Sequence, residues 1–116
     1  MRRNSSCQTT PTTSWRSRLW SPPPARGVEL EEALRVAIRK THQEPGCRRY
    51  ALHRAVSGTE GLVMIEHWES TDALTEHGRA EAFTSLAAQF EDLLAEPLHV
   101  AVLEPLPEGD PHLGRL

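Results

Sequence analysis

Apolar positions change rhythm along the chain, and each change marks an element. From Glu29 to Gln43, Leu30, Ala33, Leu34, Ala37 and Ile38 fall three and four residues apart, which predicts an amphipathic helix. Glu29, Glu31 and Glu32 open it and Arg39, Lys40 and His42 close it, the order a helix dipole favours. Pro45-Gly46 then stops it. Arg48 to Ala55 alternates instead, with Tyr50, Leu52 and Arg54 on one face and Arg49, Ala51 and His53 on the other. Ser57 to Gly61 reads as a turn, where Gly58 and Gly61 are free to take positive φ. Leu62 to Glu69 is the second strand of that hairpin. Leu62, Met64, Glu66 and Trp68 share one face, and Val63, Ile65 and His67 share the other. Both faces are apolar in its first half, which predicts that both are covered.

Ser70 or Thr71 caps a second helix, Asp72 suits its positive end, and Leu74 and His77 fall on one side of it. Gly78 is expected to break it. A longer helix resumes near Ala80, with Phe83, Leu86, Ala87, Phe90, Leu93 and Leu94 in one stripe, and ends at Pro97. His99 to Leu106 alternates again as a last strand, and residues 107–116 form a polar C-terminal tail.

The start of the chain is less regular. Met1 to Thr13 is polar and expected to be disordered. Ser14 to Ser21 offers a weak first strand, and Pro22-Pro23-Pro24 enforces an extended linker. The reading is therefore a basic leader over 1–27, a folded domain over 28–106 and a tail. The element order, (β)αββαβ, predicts an α+β, ferredoxin-like antiparallel sheet with helices on one face. The apolar second face of the Leu62 strand needs a second sheet, so a homodimer packed sheet to sheet is expected.

Charge and cysteine content narrow the partners. The net charge is −3, but residues 1–27 hold five arginines and no acid, so the body is acidic. Nothing here calls for nucleic acid. Two cysteines with no CxxC fit a reduced, cytoplasmic setting rather than a disulfide framework. No apolar run reaches the roughly 18 residues of a membrane span. Six histidines occur without an HxH or HxxxH pair, so no metal site is expected.

Glu44-Pro45-Gly46-Cys47, Tyr50-x-Leu52, Glu66-x-Trp68-Glu69-Ser70, Ala73-Leu74-x-x-His77 and Phe83, in that order and spacing, resemble the antibiotic biosynthesis monooxygenase family. The resemblance runs from about Glu29 to Leu106. It implies a dimeric α+β barrel and a cofactor-independent oxygenase that oxidises phenols, anthrones or quinols with dioxygen as co-substrate. The family's first strand is normally an apolar run leading directly into the first helix. Here SWRSRLWSPPPARG stands in that place. A poor but real strand, a displacing extension and a leader from a wrong start or frame all fit, and the abrupt charge change near residue 28 points to the last.

Cofactor-free oxygenation needs a dry cavity, a proton acceptor and a hold on an aromatic ring. Trp68 can stack on a planar substrate and donate its indole N–H, or simply fill the core. His77 can act as general base, or be structural. Those two are the candidate catalytic residues. Tyr50, Met64, Glu66, Leu74 and Phe83 are the candidate substrate pocket. Glu66 on an apolar strand needs a partner, for which Arg49, Arg54 and His77 are candidates. His53 and His67 fall on the opposite strand faces and are assigned to the dimer face. A non-catalytic dimeric barrel holding a small hydrophobic ligand is an alternative. Haem degradation ranks lower. Family members with that activity carry an axial histidine in the helix region after Phe83, and this chain has none between Phe83 and Leu94.

Overall fold

The computed structural model describes residues 14–20, 26–58 and 61–115. In chain order the elements are β1 (Ser14–Trp20), α1 (Gly27–Thr41), β2 (Cys47–Arg54), β3 (Leu62–Trp68), α2 (Thr71–Arg79), α3 (Glu81–Ala87), α4 (Phe90–Leu93) and β4 (His99–Leu103). The strands form one four-stranded antiparallel sheet in the order β2-β3-β1-β4. That order is the ferredoxin-like one: each β-α-β unit is split by a strand from the other half.

The barrel expected for this fold is not formed. The sheet is open, with β2 and β4 as separate edges that do not pair with each other. With only four strands, the sheet has too few to curl back on itself.

The segment that reads worst in sequence occupies the centre. Ser14–Trp20 pairs with β3 along its whole length and with β4 from Trp15 to Leu19. Arg16 stands in register with Glu66, and Arg18 with Met64.

Register explains which side chains are inside, because opposed residues on antiparallel strands share a face. Tyr50 opposes Glu66, and Leu52 opposes Met64. This face carries Tyr50, Leu62, Met64, Glu66 and Trp68, all buried, and packs against Leu30 and Leu34 of α1, Leu74 of α2, Leu86 of α3 and Leu93 of α4. The other face carries Val63, Ile65 and His67, only half-buried, and exposed His53.

Three helix boundaries differ from the sequence reading. α1 is shifted towards the N-terminus and ends at Thr41. Gly78 stays inside α2, and the break falls at Ala80, whose extended backbone (φ −72°, ψ 154°) separates α2 from α3. The long final helix is two pieces, divided at Ala88 and Gln89, an arrangement that keeps both Leu86 and Leu93 in the core. β4 stops at Leu103 and leaves Leu106 exposed. Among the described residues no helix is long and apolar enough to cross a membrane.

Candidate functional site

The site is built where β3 runs into α2. Ser70 adopts an extended conformation and its hydroxyl accepts the backbone N–H of Ala73 at 3.1 Å, which starts the helix immediately after Trp68 and Glu69. Asp72 in the first turn favours the same start. One helical turn after Leu74 is His77, on the side facing the sheet, and both are buried.

A second segment closes onto that joint. The Pro45-Gly46 turn is tied to it by the Glu69 N–H, which donates to the Gly46 carbonyl at 2.8 Å. Gly46 sits at φ +82°, and a Cβ there would lie 2.6 Å from the Ala73 Cβ. Only glycine meets both demands. The close approach delivers Glu44 to His77: its Oε1 lies 2.9 Å from the imidazole Nδ1.

Around His77 the structure assembles an aromatic box. The Trp68 ring centroid is 4.6 Å away with the planes tilted by 32°, Tyr50 meets His77 edge-on at 5.2 Å, and Phe83 lies at 5.5 Å. Tyr50 also meets Trp68 edge-on at 6.3 Å. Trp68 and Glu66 are fully buried, His77 is 1% exposed and Tyr50 3%. The indole N–H of Trp68 donates to Glu66 Oε1 at 2.9 Å. The structure thus holds two carboxylates on one ring stack, Glu44 at the imidazole and Glu66 at the indole.

That charge arrangement sets protonation. Burial, and then the nearby Glu66 charge, push the Glu44 carboxyl from its ordinary 4.5 up to about 7. Burial together with the Glu44 and Glu66 charges pushes the Cys47 thiol up to about 11, which makes it a packing residue rather than a nucleophile. His67 is lowered by burial and by Arg48, Arg115 and Arg49.

The candidates named from sequence fall into two groups. Trp68, His77, Tyr50, Glu66 and Phe83 come together in the box, with Met64 and Leu74 in the core beside them. Only His77 of these also borders an open cleft of about 470 Å³, which Glu44, Gly46, Ser70, Ala73 and Glu76 help to line. The partners expected for Glu66 are partly replaced. Arg54 pairs with Glu31 of α1, Arg49 is exposed, and the indole of Trp68 takes Oε1. Sequence reasoning missed Glu44 as the partner of His77. The available signal was an acid placed directly before the Pro-Gly turn, in the quoted Glu44-Pro45-Gly46-Cys47 run.

Residues 17–89, most of the body and all of this site, match the family model described as antibiotic biosynthesis monooxygenase. The chain belongs to the antibiotic biosynthesis monooxygenase family. Rv0793 of Mycobacterium tuberculosis, a protein named as a monooxygenase, is 39% identical over 87 residues, which cover 75% of this chain and 84% of that protein. Its solved structure superposes with a TM-score of 0.75 at 34% identity, covering 84% of this chain and 98% of that one. The structure of PA3566 from Pseudomonas aeruginosa superposes with a TM-score of 0.76 at 27% identity, covering 84% and 97%. Membership in the antibiotic biosynthesis monooxygenase family supports an oxidoreductase role in general terms. Among the described residues, no group of three or more His, Cys, Asp or Glu side chains is placed to hold a metal ion.

Proposed function

We propose that this protein is a cofactor-independent monooxygenase that oxidises a small phenol, anthrone or quinol-type substrate with dioxygen to a quinone. The observation that carries the reading is the buried His77 imidazole, held between the Trp68 ring and the Glu44 carboxyl and bordering an open cleft. About 470 Å³ lies within the range of small-molecule sites. The Trp68 and His77 ring centroids lie 4.6 Å apart, which leaves no room for a planar substrate between them. The imidazole is fully buried, so a substrate in the cleft reaches it only when the cleft wall moves aside.

For an anthrone-type substrate the steps balance as follows. His77 removes one C–H proton and leaves a carbanion. The carbanion passes one electron to dioxygen, and the radical pair combines into a C–O bond as a peroxide. Loss of the second C–H proton forms the carbonyl, the O–O bond breaks, and the departing hydroxide takes a proton to leave as water. Trp68 fixes the imidazole plane and engages Glu66. Tyr50, Met64, Leu74 and Phe83 form the apolar backing that keeps water from that side of the base.

The half-buried Val63, Ile65 and His67 face supports a homodimer that packs two such open faces together. The oxygenase reading is tested by incubating the protein with an anthrone and with a quinol, under air and under nitrogen. Quinone formed only with dioxygen is the expected result, and equal product in both atmospheres sinks the oxygenase. Thermal stabilisation by these compounds without any turnover replaces it with a ligand-binding module.

A further inference from the structure

We propose that Glu44 is the positioning residue of this site: it fixes the proton of His77 on Nδ1, leaves Nε2 as the accepting atom, and carries protons between the buried imidazole and the cleft. This rests on the reading of His77 as proton acceptor given above. Glu44 is the polar group that belongs to both environments. Its Oε1 is 2.9 Å from Nδ1 of a histidine that is 1% exposed, while Glu44 and His77 both line the cleft. Its Oε2 is buried and has no hydrogen-bond partner among the described residues. A buried carboxylate oxygen in that state carries its full desolvation cost, which favours the protonated form of Glu44.

A histidine ring presents the lone pair of whichever nitrogen carries no proton, and the partner of the other nitrogen decides which that is. An ionised carboxylate can only accept, so above about pH 7, where Glu44 is deprotonated, it selects the Nδ1–H tautomer. When Nε2 takes a proton from substrate, the electron pair of the broken bond stays on the substrate. The imidazolium then passes its Nδ1 proton to Glu44 Oε1, and Glu44 releases that proton to water in the cleft. When Nε2 gives its proton to the departing hydroxide, Glu44 takes a proton back from that water and returns it to Nδ1, which restores the starting tautomer. No oxidant enters this half of the cycle, because it moves only protons.

The groups facing Glu44 suit the relay. His77 comes from α2, Cys47 from the start of β2 and Glu66 from β3. Glu69, Asp72, Glu76 and Arg79 line the cleft outside. The buried acid and the Glu66 charge raise the Glu44 carboxyl to about 7. A carboxyl in that range exchanges protons with an imidazole at little cost in either direction. Gly46 is what allows the arrangement, since any side chain there would push the turn, and Glu44 with it, off Ala73.

The test uses ¹⁵N-labelled full-length protein and needs no substrate. Imidazole nitrogen shifts at pH 8 should place the His77 proton on Nδ1 in the wild type, and on Nε2 in Glu44→Ala. In Glu44→Gln the amide oxygen keeps the tautomer but cannot take the proton. Exchange of that proton with water should therefore slow at least tenfold, and this variant decides the matter if the alanine variant does not fold. A wild-type proton on Nε2, or equal exchange in wild type and Glu44→Gln, overturns the proposal. Where turnover is measurable, Glu44→Gln should lower kcat tenfold or more with little change in KM. A positive tautomer and exchange result alongside absent oxygenation leaves Glu44 in place and removes only the oxygenase.

Discussion

The two faces of the same sheet differ more than any other two regions of the molecule. On the helix-covered face, Tyr50, Met64, Glu66 and Trp68 are all but sealed, and the indole N–H of Trp68 donates to one oxygen of the Glu66 carboxylate. On the other face, Val63, Ile65 and His67 are only half-buried, and Leu103 at the β4 edge, which the register places on the side of His67, is exposed. Strand β3 serves both with alternate residues. One face therefore carries fold stability together with the site. The other carries apolar surface that the single chain leaves uncovered.

Substitutions should separate the two. Trp68→Ala removes a fully buried ring that stacks on His77 and engages Glu66. It should lower unfolding free energy by about 3–5 kcal/mol in urea titration. A loss below ~1 kcal/mol would mean that the helix-covered face is not the core. Ile65→Asp places a charge on the open face. It should weaken self-association by roughly 100-fold in sedimentation equilibrium, about 2.7 kcal/mol, while the monomer keeps its fold. A monomeric wild type would remove the homodimer.

The buried carboxyl should also show in the pH dependence of stability. Folding raises Glu44 from 4.5 to about 7, so the folded chain binds this proton more tightly than the unfolded chain. Its stabilising effect is fully present below about 4.5 and is lost as pH rises through about 7, which amounts to ~1–3 kcal/mol. Urea midpoints at pH 5 and pH 8 should record that decline, and Glu44→Gln should flatten it. A smaller effect belongs to the turn. Gly46→Ala at φ +82°, against Ala73, should cost about 1–2 kcal/mol and loosen the cleft, read by the same titration.

The sequence made the local parts of this fold legible. The three-four spacing of Leu30, Leu34 and Ala37 located α1 to within a few residues, and alternation located β2 and β3. It also put Trp68, Glu66 and Tyr50 on one face, which the register confirms for the Tyr50–Glu66 pair. What it hid depends on distant partners. Arg16 and Arg18 look foreign in a central strand until the register sets Arg16 across from Glu66, 50 residues later. Glu44 looks like the frayed end of a helix until the Gly46 turn docks on Ala73 and brings it to His77, 33 residues away. The break at Ala80 and the division at Ala88 come from packing Leu86 and Leu93 into one core, which local propensity does not encode. The barrel was an expectation of family resemblance, and the open order β2-β3-β1-β4 replaces it.

The central claim is that the sealed face ends in a working base at His77. Dioxygen uptake during anthrone oxidation tests it most directly, with wild type and His77→Ala compared on the same electrode and the product counted alongside. One dioxygen consumed per anthraquinone formed, with the rate falling by about 100-fold in the variant, is the outcome expected for a general base of this kind. Unchanged uptake in His77→Ala, or quinone formed without uptake, would contradict the account.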